Sequence, residues 1–358
     1  MSILTQDIAG TVLPGDRSHK ARALALFLLV VLFLAVLLSL GVGATSVSLW
    51  DVARSVTSAQ DLTLRDQIVL YDIRMPRTAM GVLVGAALAV SGAVMQGLFR
   101  NPLADPGLVG VSAGAGLGAI GAIVLGGMLP AAISGVLGYY MVPVAAFVGA
   151  WCSTMILYRI STRRGRTSVA TMLLAGIALG ALTGAISGAL TYIANDAELR
   201  TLTFWSMGSI GGATWAKVLA AAPLIIIALA VSPFLARGLN GLALGEAAAS
   251  HIGIPVQRLK NTAILMVAGA TGAAVAVSGG IGFVGIVVPH LLRLIVGPDH
   301  KYLLLNSALL GASILLCADV ISRVVIAPAE LPIGIITATL GGPFFLWILL
   351  RQRGLLDM

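Results

Sequence analysis

The side chains best suited to hold a metal or move a proton are few: His19, His251, His290 and His300, with Cys152 and Cys317, in 358 residues. None is spaced as a metal site or a disulfide framework. Three of the histidines lie in charged segments, and His290 follows Pro289 in an apolar run, where a structural role fits better than ligation. Both cysteines fall in apolar runs and read as packing residues. The stretch "GLGAIG" (Gly116 to Gly121) has the spacing of a dinucleotide fingerprint. That fingerprint needs a preceding strand and an acidic residue about 20 positions on, whereas these glycines sit in a charge-free run. With no Gly-Lys pair anywhere, the chain cannot form a Walker A phosphate loop. No acid–base pair and no nucleophile beside a base occurs at a plausible place, so the sequence predicts no catalytic residue, no metal site and no enzyme activity in this chain.

Two polar stretches break the apolar text instead. In "FRNPLADPG" (Phe99 to Gly107), Asn101-Pro102 reads as a turn and Asp105-Pro106 as a helix start, with Asp105 as the cap and Pro106 at the first helical position. A capped hairpin and a gate at a pore mouth both fit it. The second runs from Gly238 to Lys260. Glu246 stands at the positive end of a short helix, Ala247, Ala248 and Ala249 favour helix, and Gly253 followed by Pro255 ends it. Leu244, Ala248 and Ile252 recur every fourth residue, giving a small apolar face suited either to a groove on another protein or to folding back on the chain itself.

The elements that position these stretches are membrane helices. The chain is 58% hydrophobic and 10% charged, against about 25% charged in an average soluble domain. Uncharged runs cover 23–50, 78–99, 106–158, 167–195, 218–236, 261–292, 302–318 and 331–350, and a crossing needs about 20 apolar residues. Two of the runs are long enough to be divided. The expectation is an all-α integral membrane protein of ten spans, near 22–41, 74–98, 107–126, 137–159, 168–192, 214–236, 261–277, 283–296, 303–322 and 333–350, forming one domain over residues 1–358. The first apolar run is longer than a signal-peptide core and reads as an uncleaved span.

Short cytoplasmic loops collect Lys and Arg. Both termini inside puts Arg17, Lys20, Arg22, Arg100, Arg159, Arg163, Arg164, Arg166, Arg237, Arg258, Lys260, Arg293, Lys301, Arg351 and Arg353 on that side. Trp50, Trp205 and Trp215 then fall near outer helix ends. The net charge of +8 is thereby a topology signal, and no basic stripe interleaved with aromatics points to nucleic acid. Small residues at four-residue spacing, Gly81, Gly85 and Ala89 or Gly176, Gly180 and Gly184, predict close helix packing. Mid-span carboxylates are missing, which favours an external energy source over the ion gradient of a secondary transporter.

On "RMPRTAMGVLVGAALAVSGAVMQGLFRNPLADPGLVGVSAGAG" (Arg74 to Gly116), "LALGEAAASHIGI" (Leu242 to Ile254), "GGIGFVGIVVPHLLR" (Gly279 to Arg293) and "AELPIGIITATLGGPFFLWILL" (Ala329 to Leu350), the chain resembles the permease subunit of type II ATP-binding-cassette importers of the FecCD type, which carry iron-siderophores, haem or cobalamin. The resemblance implies a subunit of a bacterial inner membrane that pairs with a second copy, two ATPase subunits and a periplasmic binding protein. ATP and magnesium would be held by the ATPase, with no cofactor in this chain. It implies that Leu244, Gly245, Glu246, Ala247, Ala248, Ile252 and Gly253 form a coupling helix that fits the ATPase. Arg74, Arg77 and Arg323 match exposed outer arginines that dock the binding protein, although Arg323 also stands one turn from Asp319. Asn101 and Leu103 match one half of a cytoplasmic gate, and Thr167 and Ser168 lie near the other, in uncertain register. The wording of "GLFRNPLADPGL" and of "TFWSMGSIGGATW" (Thr203 to Trp215) looks most like the haem branch, ahead of ferric siderophore and cobalamin.

Overall fold

The computed structural model describes residues 17–43, 63–128, 130, 137–163 and 166–356; Trp50, Gly135 and Arg164 lie outside them. With no water in a bilayer core, each apolar run must satisfy its own backbone groups, and helices do so. The long helices are α1 (Ser18–Gly41), α2 (Leu64–Phe99), α3 (Val111–Leu125), α4 (Met141–Ser161), α5 (Val169–Ile193), α7 (Trp215–Leu242), α9 (Val256–Ser278), α11 (His300–Val324) and α12 (Ile333–Leu356). Between them lie α6 (Asp196–Met207), α8 (Glu246–His251) and α10 (Val284–Val296). Among the described residues eight helical segments are long and apolar enough to cross a membrane, and the apolar stretches Val284–Val296 and Ile333–Trp347 fall on the two other expected spans.

Helix α2 is the centre of the packing. Nearly all of it from Pro76 to Phe99 is buried, and α7, α9, α10 and α11 lie against it. Glycine sets how close they come: a Cβ on Gly85 would stand 2.4 Å from the Gly311 carbonyl oxygen, and one on Gly92 1.8 Å from that of Gly285. The spacing of Gly81, Gly85 and Ala89 therefore marks a helix crossing, as expected. The second stripe behaves differently. Gly180 and Gly184 of that stripe, and Gly188 one turn further on α5, meet nothing within 4 Å, and only 11% of that span is buried in the chain.

Two departures from expectation have local causes. Helix α2 starts ten residues earlier than the expected Arg74, its first turns widening to a π-helix over Ile68–Arg74. Helix α6 was not expected at all, because only its end is apolar. Its signal is present in "NDAE": the Asn195 side chain accepts from Glu198 N–H at 3.0 Å while the Glu198 carboxylate accepts from Asn195 N–H at 3.0 Å, a reciprocal cap. "GLGAIG" lies inside α3, with no strand before it among the described residues, and Gly118 packs on the Ala145 carbonyl.

Candidate functional site

The polar loop between α7 and α9 is shaped by two glycines in the left-handed region, Gly245 (φ 102°) and Gly253 (φ 84°), which bracket α8. A side chain at either would strain the turn. Ala249 is fully buried and anchors the helix, while Leu244 is 70% and Ile252 58% exposed and Ala247 is exposed. The apolar face thus points away from the chain instead of folding back on it; Ala248 is half-buried.

Behind this face lies a polar junction. The Lys260 side chain is 4% exposed, and its ammonium donates to the Thr167 carbonyl at 2.7 Å and to Glu246 Oε1 at 2.7 Å. Gln257 grips the same residue twice, accepting from Thr167 N–H at 2.9 Å and donating to Thr167 Oγ1 at 2.6 Å. Thr167 belongs to a two-residue hairpin, Thr162–Arg163 against Arg166–Thr167, joining α4 to α5. Ser168, beside it, caps α5 by accepting from Thr171 N–H at 3.2 Å. The structure therefore ties the short helix α8 to the hairpin before α5 through Lys260, while Gln257 fastens the same hairpin to α9. Neither residue was singled out from the sequence, since Lys260 and Thr167 stand 93 positions apart and no periodicity links them.

The α2–α3 connection also reaches this end. Arg100 closes α2 in the left-handed region, with Nη1 3.8 Å from where a Cβ on Gly245 would stand. Asn101 is exposed and accepts from Leu103 N–H at 2.9 Å, and Leu103 is half-buried. Asn101 and Leu103 share no hydrogen bond with Thr167 or Ser168 among the described residues. Asp105 does not stay in a surface turn. Its Oδ1 accepts from Gly107 N–H at 2.7 Å, as the cap expected of it, but the carboxylate lines a cavity with Leu88, Thr271 and Gly285.

At the opposite end the three arginines are spent inside the chain. Arg77 donates Nε to Asp319 Oδ1 at 2.9 Å, places Nη2 2.8 Å from the same oxygen and donates Nη1 to Glu330 at 2.8 Å. Arg323 stands 2.9 Å from Asp319 Oδ2 and donates to the Ser39 and Val42 carbonyls at 3.1 and 3.0 Å. Arg74 donates to the carbonyls of Leu40 and Gly41. They are 3% (Arg74), 4% (Arg77) and 5% (Arg323) exposed, and Asp319 is fully buried. The expectation of exposed arginines is corrected here: an unpaired carboxylate as deep as Asp319 would be very costly, and the fork-shaped guanidinium groups of Arg77 and Arg323 neutralise it, while Arg323 and Arg74 cap the end of α1. Glu330, with its side chain 44% exposed, is the part of the network that reaches outward.

Two further histidines, His290 and His300, lie in the interior. His300 Nδ1 lies 2.8 Å from Asn240 Oδ1, whose amide donates to Asp299 at 2.6 Å, and His290 is buried with Nδ1 unpartnered. Among the described residues no group of three His, Cys, Asp or Glu could hold a metal. Cys317 is half-buried as expected, whereas Cys152 is exposed on α4.

The sequence matches the FecCD transport family over residues 29–351. It is 46% identical over 337 residues to the hemin transport system permease protein HmuU of Yersinia pestis, covering 93% of this chain and 97% of that protein. It is 44% identical over 332 residues to the vitamin B12 import system permease protein BtuC of Shigella boydii, covering 92% and 95%. The fold superposes with TM-score 0.80 on an inward-facing conformation of a metal-chelate type ABC transporter at 30% identity, covering 92% of this chain and 99% of that one.

Proposed function

Because the chain belongs to the FecCD transport family and is a membrane-spanning permease, we propose that it is the pathway subunit of an ATP-driven importer that brings haem across a bacterial inner membrane. Haem is the inferred cargo because the hemin permease of Yersinia pestis is similar over almost its full length. Cobalamin and ferric siderophore are the competing cargoes, from the vitamin B12 permeases and the metal-chelate transporter. Two copies of the chain would enclose the pathway, with two ATPase subunits at the α8 end and a periplasmic binding protein at the other.

The observation that supports ATP coupling is the loop around α8. Leu244, Gly245, Glu246, Ala247, Ala248, Ile252 and Gly253 make a short helix whose exposed apolar residues, Leu244 and Ile252, suit a groove on the ATPase. When that groove moves, Glu246 and the buried Lys260 carry the displacement to Thr167 and Ser168 at the start of α5. Asn101 and Leu103 form the other side of the gate in this reading. Arg74, Arg77 and Arg323 act in docking indirectly, tying the end of α1 and the Glu330 segment to α2 and α11, with Glu330 at the surface that the binding protein meets. ATP and magnesium are bound by the ATPase and no cofactor by this chain.

The test is ATP hydrolysis and uptake by the chain reconstituted with its ATPase in liposomes, with the binding protein empty or loaded with haem, a ferric siderophore or cobalamin. Stimulation and ATP-dependent uptake with haem alone support the proposal. Uptake driven by an imposed ion gradient without ATP would replace it with a secondary transporter.

A further inference from the structure

Arg293 is a largely desolvated cation that the chain leaves without a partner. It stands three residues before the end of α10 at Val296. Its Nε and Nη2 are sealed from solvent and make no hydrogen bond, so only Nη1 keeps contact with the outside. It belongs to none of the ion pairs among the described residues. A charge taken out of water is costly unless a counter-charge meets it; Asp319 has two arginines, whereas Arg293 has no acidic group.

Arg293 lines a 580 Å³ cavity with Arg17, Asn240, Asp299 and Tyr302, within the roughly 300–1,000 Å³ usual for small-molecule sites. All five stand at helix ends: Arg17 precedes α1, Asn240 is near the end of α7, Asp299 caps α11 and Tyr302 is in its first turn. The cavity therefore sits at headgroup depth. A Cβ on Gly297, which ends α10 with φ 91°, would stand 3.6 Å from Arg17 Cδ and 3.9 Å from Arg17 Nη1, so Arg17 lies against the turn that follows Arg293.

Asp299 is the one carboxylate on the wall. Its Oδ1 accepts from the Asn240 amide at 2.6 Å and from Lys301 N–H at 2.9 Å, and it pairs with neither arginine. Two arginines against one carboxylate leave one positive charge over, which a single phosphodiester balances. Beside Tyr302 stand two more cations, Arg22 with Nη2 3.5 Å from the hydroxyl and Lys301 with Nζ 5.5 Å from the ring centre. They disfavour a headgroup that carries its own ammonium. Next to Arg293, Leu294 and Ile295 are 57% and 54% exposed, an apolar surface at the right place for acyl chains.

We propose that Arg293 and Arg17 hold the phosphodiester of one anionic glycerophospholipid, with its acyl chains along Leu294 and Ile295. Guanidinium forks match phosphate oxygens, and basic pockets between helices at the cytoplasmic face take anionic headgroups. The choice of leaflet rests on the proposed function; the site itself depends on neither cargo nor ATPase. Bound there, the lipid joins the start of α1 to the ends of α7 and α10.

The experiment uses the full chain, delipidated in detergent, with thermal unfolding followed against added phosphatidylglycerol, phosphatidylcholine or inorganic phosphate, and bound lipid counted by native mass spectrometry. A saturable rise in Tm with phosphatidylglycerol and about one such lipid retained per chain are expected, with phosphatidylcholine about tenfold weaker. Arg293→Gln and Arg17→Gln each raise the half-saturating phosphatidylglycerol concentration about tenfold, the scale of one charge-assisted hydrogen bond. Arg17 is exposed, so its variant covers the case in which Arg293→Gln does not fold. Arg258→Gln, an exposed cation outside the cavity, leaves binding unchanged. Equal responses to the two lipids overturn the proposal, as does inorganic phosphate matching phosphatidylglycerol at equal concentration, or lipid binding that neither arginine variant weakens. Loss of ATPase copurification in Arg293→Gln with lipid binding intact also overturns it, assigning the cavity to an acidic group of that subunit.

Discussion

Lys260→Met removes the ammonium that joins α8 to the hairpin before α5 and keeps the aliphatic stem. The bond to the Thr167 carbonyl is charge-assisted, short at 2.7 Å and buried, in the class worth about 1.5–3 kcal/mol. The contact with Glu246 is discounted, because that carboxylate is 49% exposed and such pairs contribute about 0–1 kcal/mol. Together the junction holds α8 and Thr167 in register by roughly 2–4 kcal/mol, which is about thirtyfold to several hundredfold in the population of the linked arrangement. In proteoliposomes with the ATPase and the loaded binding protein, Lys260→Met should hydrolyse ATP at a rate within a few-fold of wild type. Haem taken up per ATP hydrolysed should fall at least tenfold. Lys260→Arg, which keeps a donor at that site, should recover part of the ratio, whereas a folding defect would lower hydrolysis and uptake together. An unchanged uptake per ATP in a properly inserted Lys260→Met protein refutes the reasoning.

Asp319→Ala leaves Arg323 buried without an ion-pair partner and Arg77 with only the half-exposed Glu330, and should destabilise the chain by about 3–5 kcal/mol, read as a large drop in detergent Tm; Asp319→Asn should fall in between. Gly92→Ala drives a Cβ into the Gly285 carbonyl and should abolish stable insertion. Gly180→Ala meets nothing in the chain and should leave the isolated chain's Tm unchanged; any effect confined to the assembled complex would show that another subunit covers α5. Leu244→Glu with Ile252→Glu should release the ATPase in a pull-down while sparing membrane insertion, and normal copurification would count against the α8 loop as the docking element. Glu246→Arg sets a second cation beside Lys260 and should lower uptake more than Glu246→Gln does.

Hydropathy and charge made the membrane class and the positions of ten apolar segments legible, because each run must bury its backbone groups within itself and the charges between runs cannot enter lipid. Local chemistry also fixed the ends of α8, where Gly245 and Gly253 carry positive φ, and the cap at Asp105. The glycines of α2 announced a close crossing, but not its partner, nor that the similar stripe on α5 would face open space.

Pairings between distant segments were decided only in three dimensions. Arg77 reads as a free outer charge until the chain brings Asp319 against it from 242 positions away, and Lys260 as a loop charge until Thr167 arrives from 93. Asp105 has a surface cap's sequence, yet it lines a cavity beside Leu88 and Gly285. Desolvation is a property of everything packed around a group, and a sequence specifies that packing only through the whole fold.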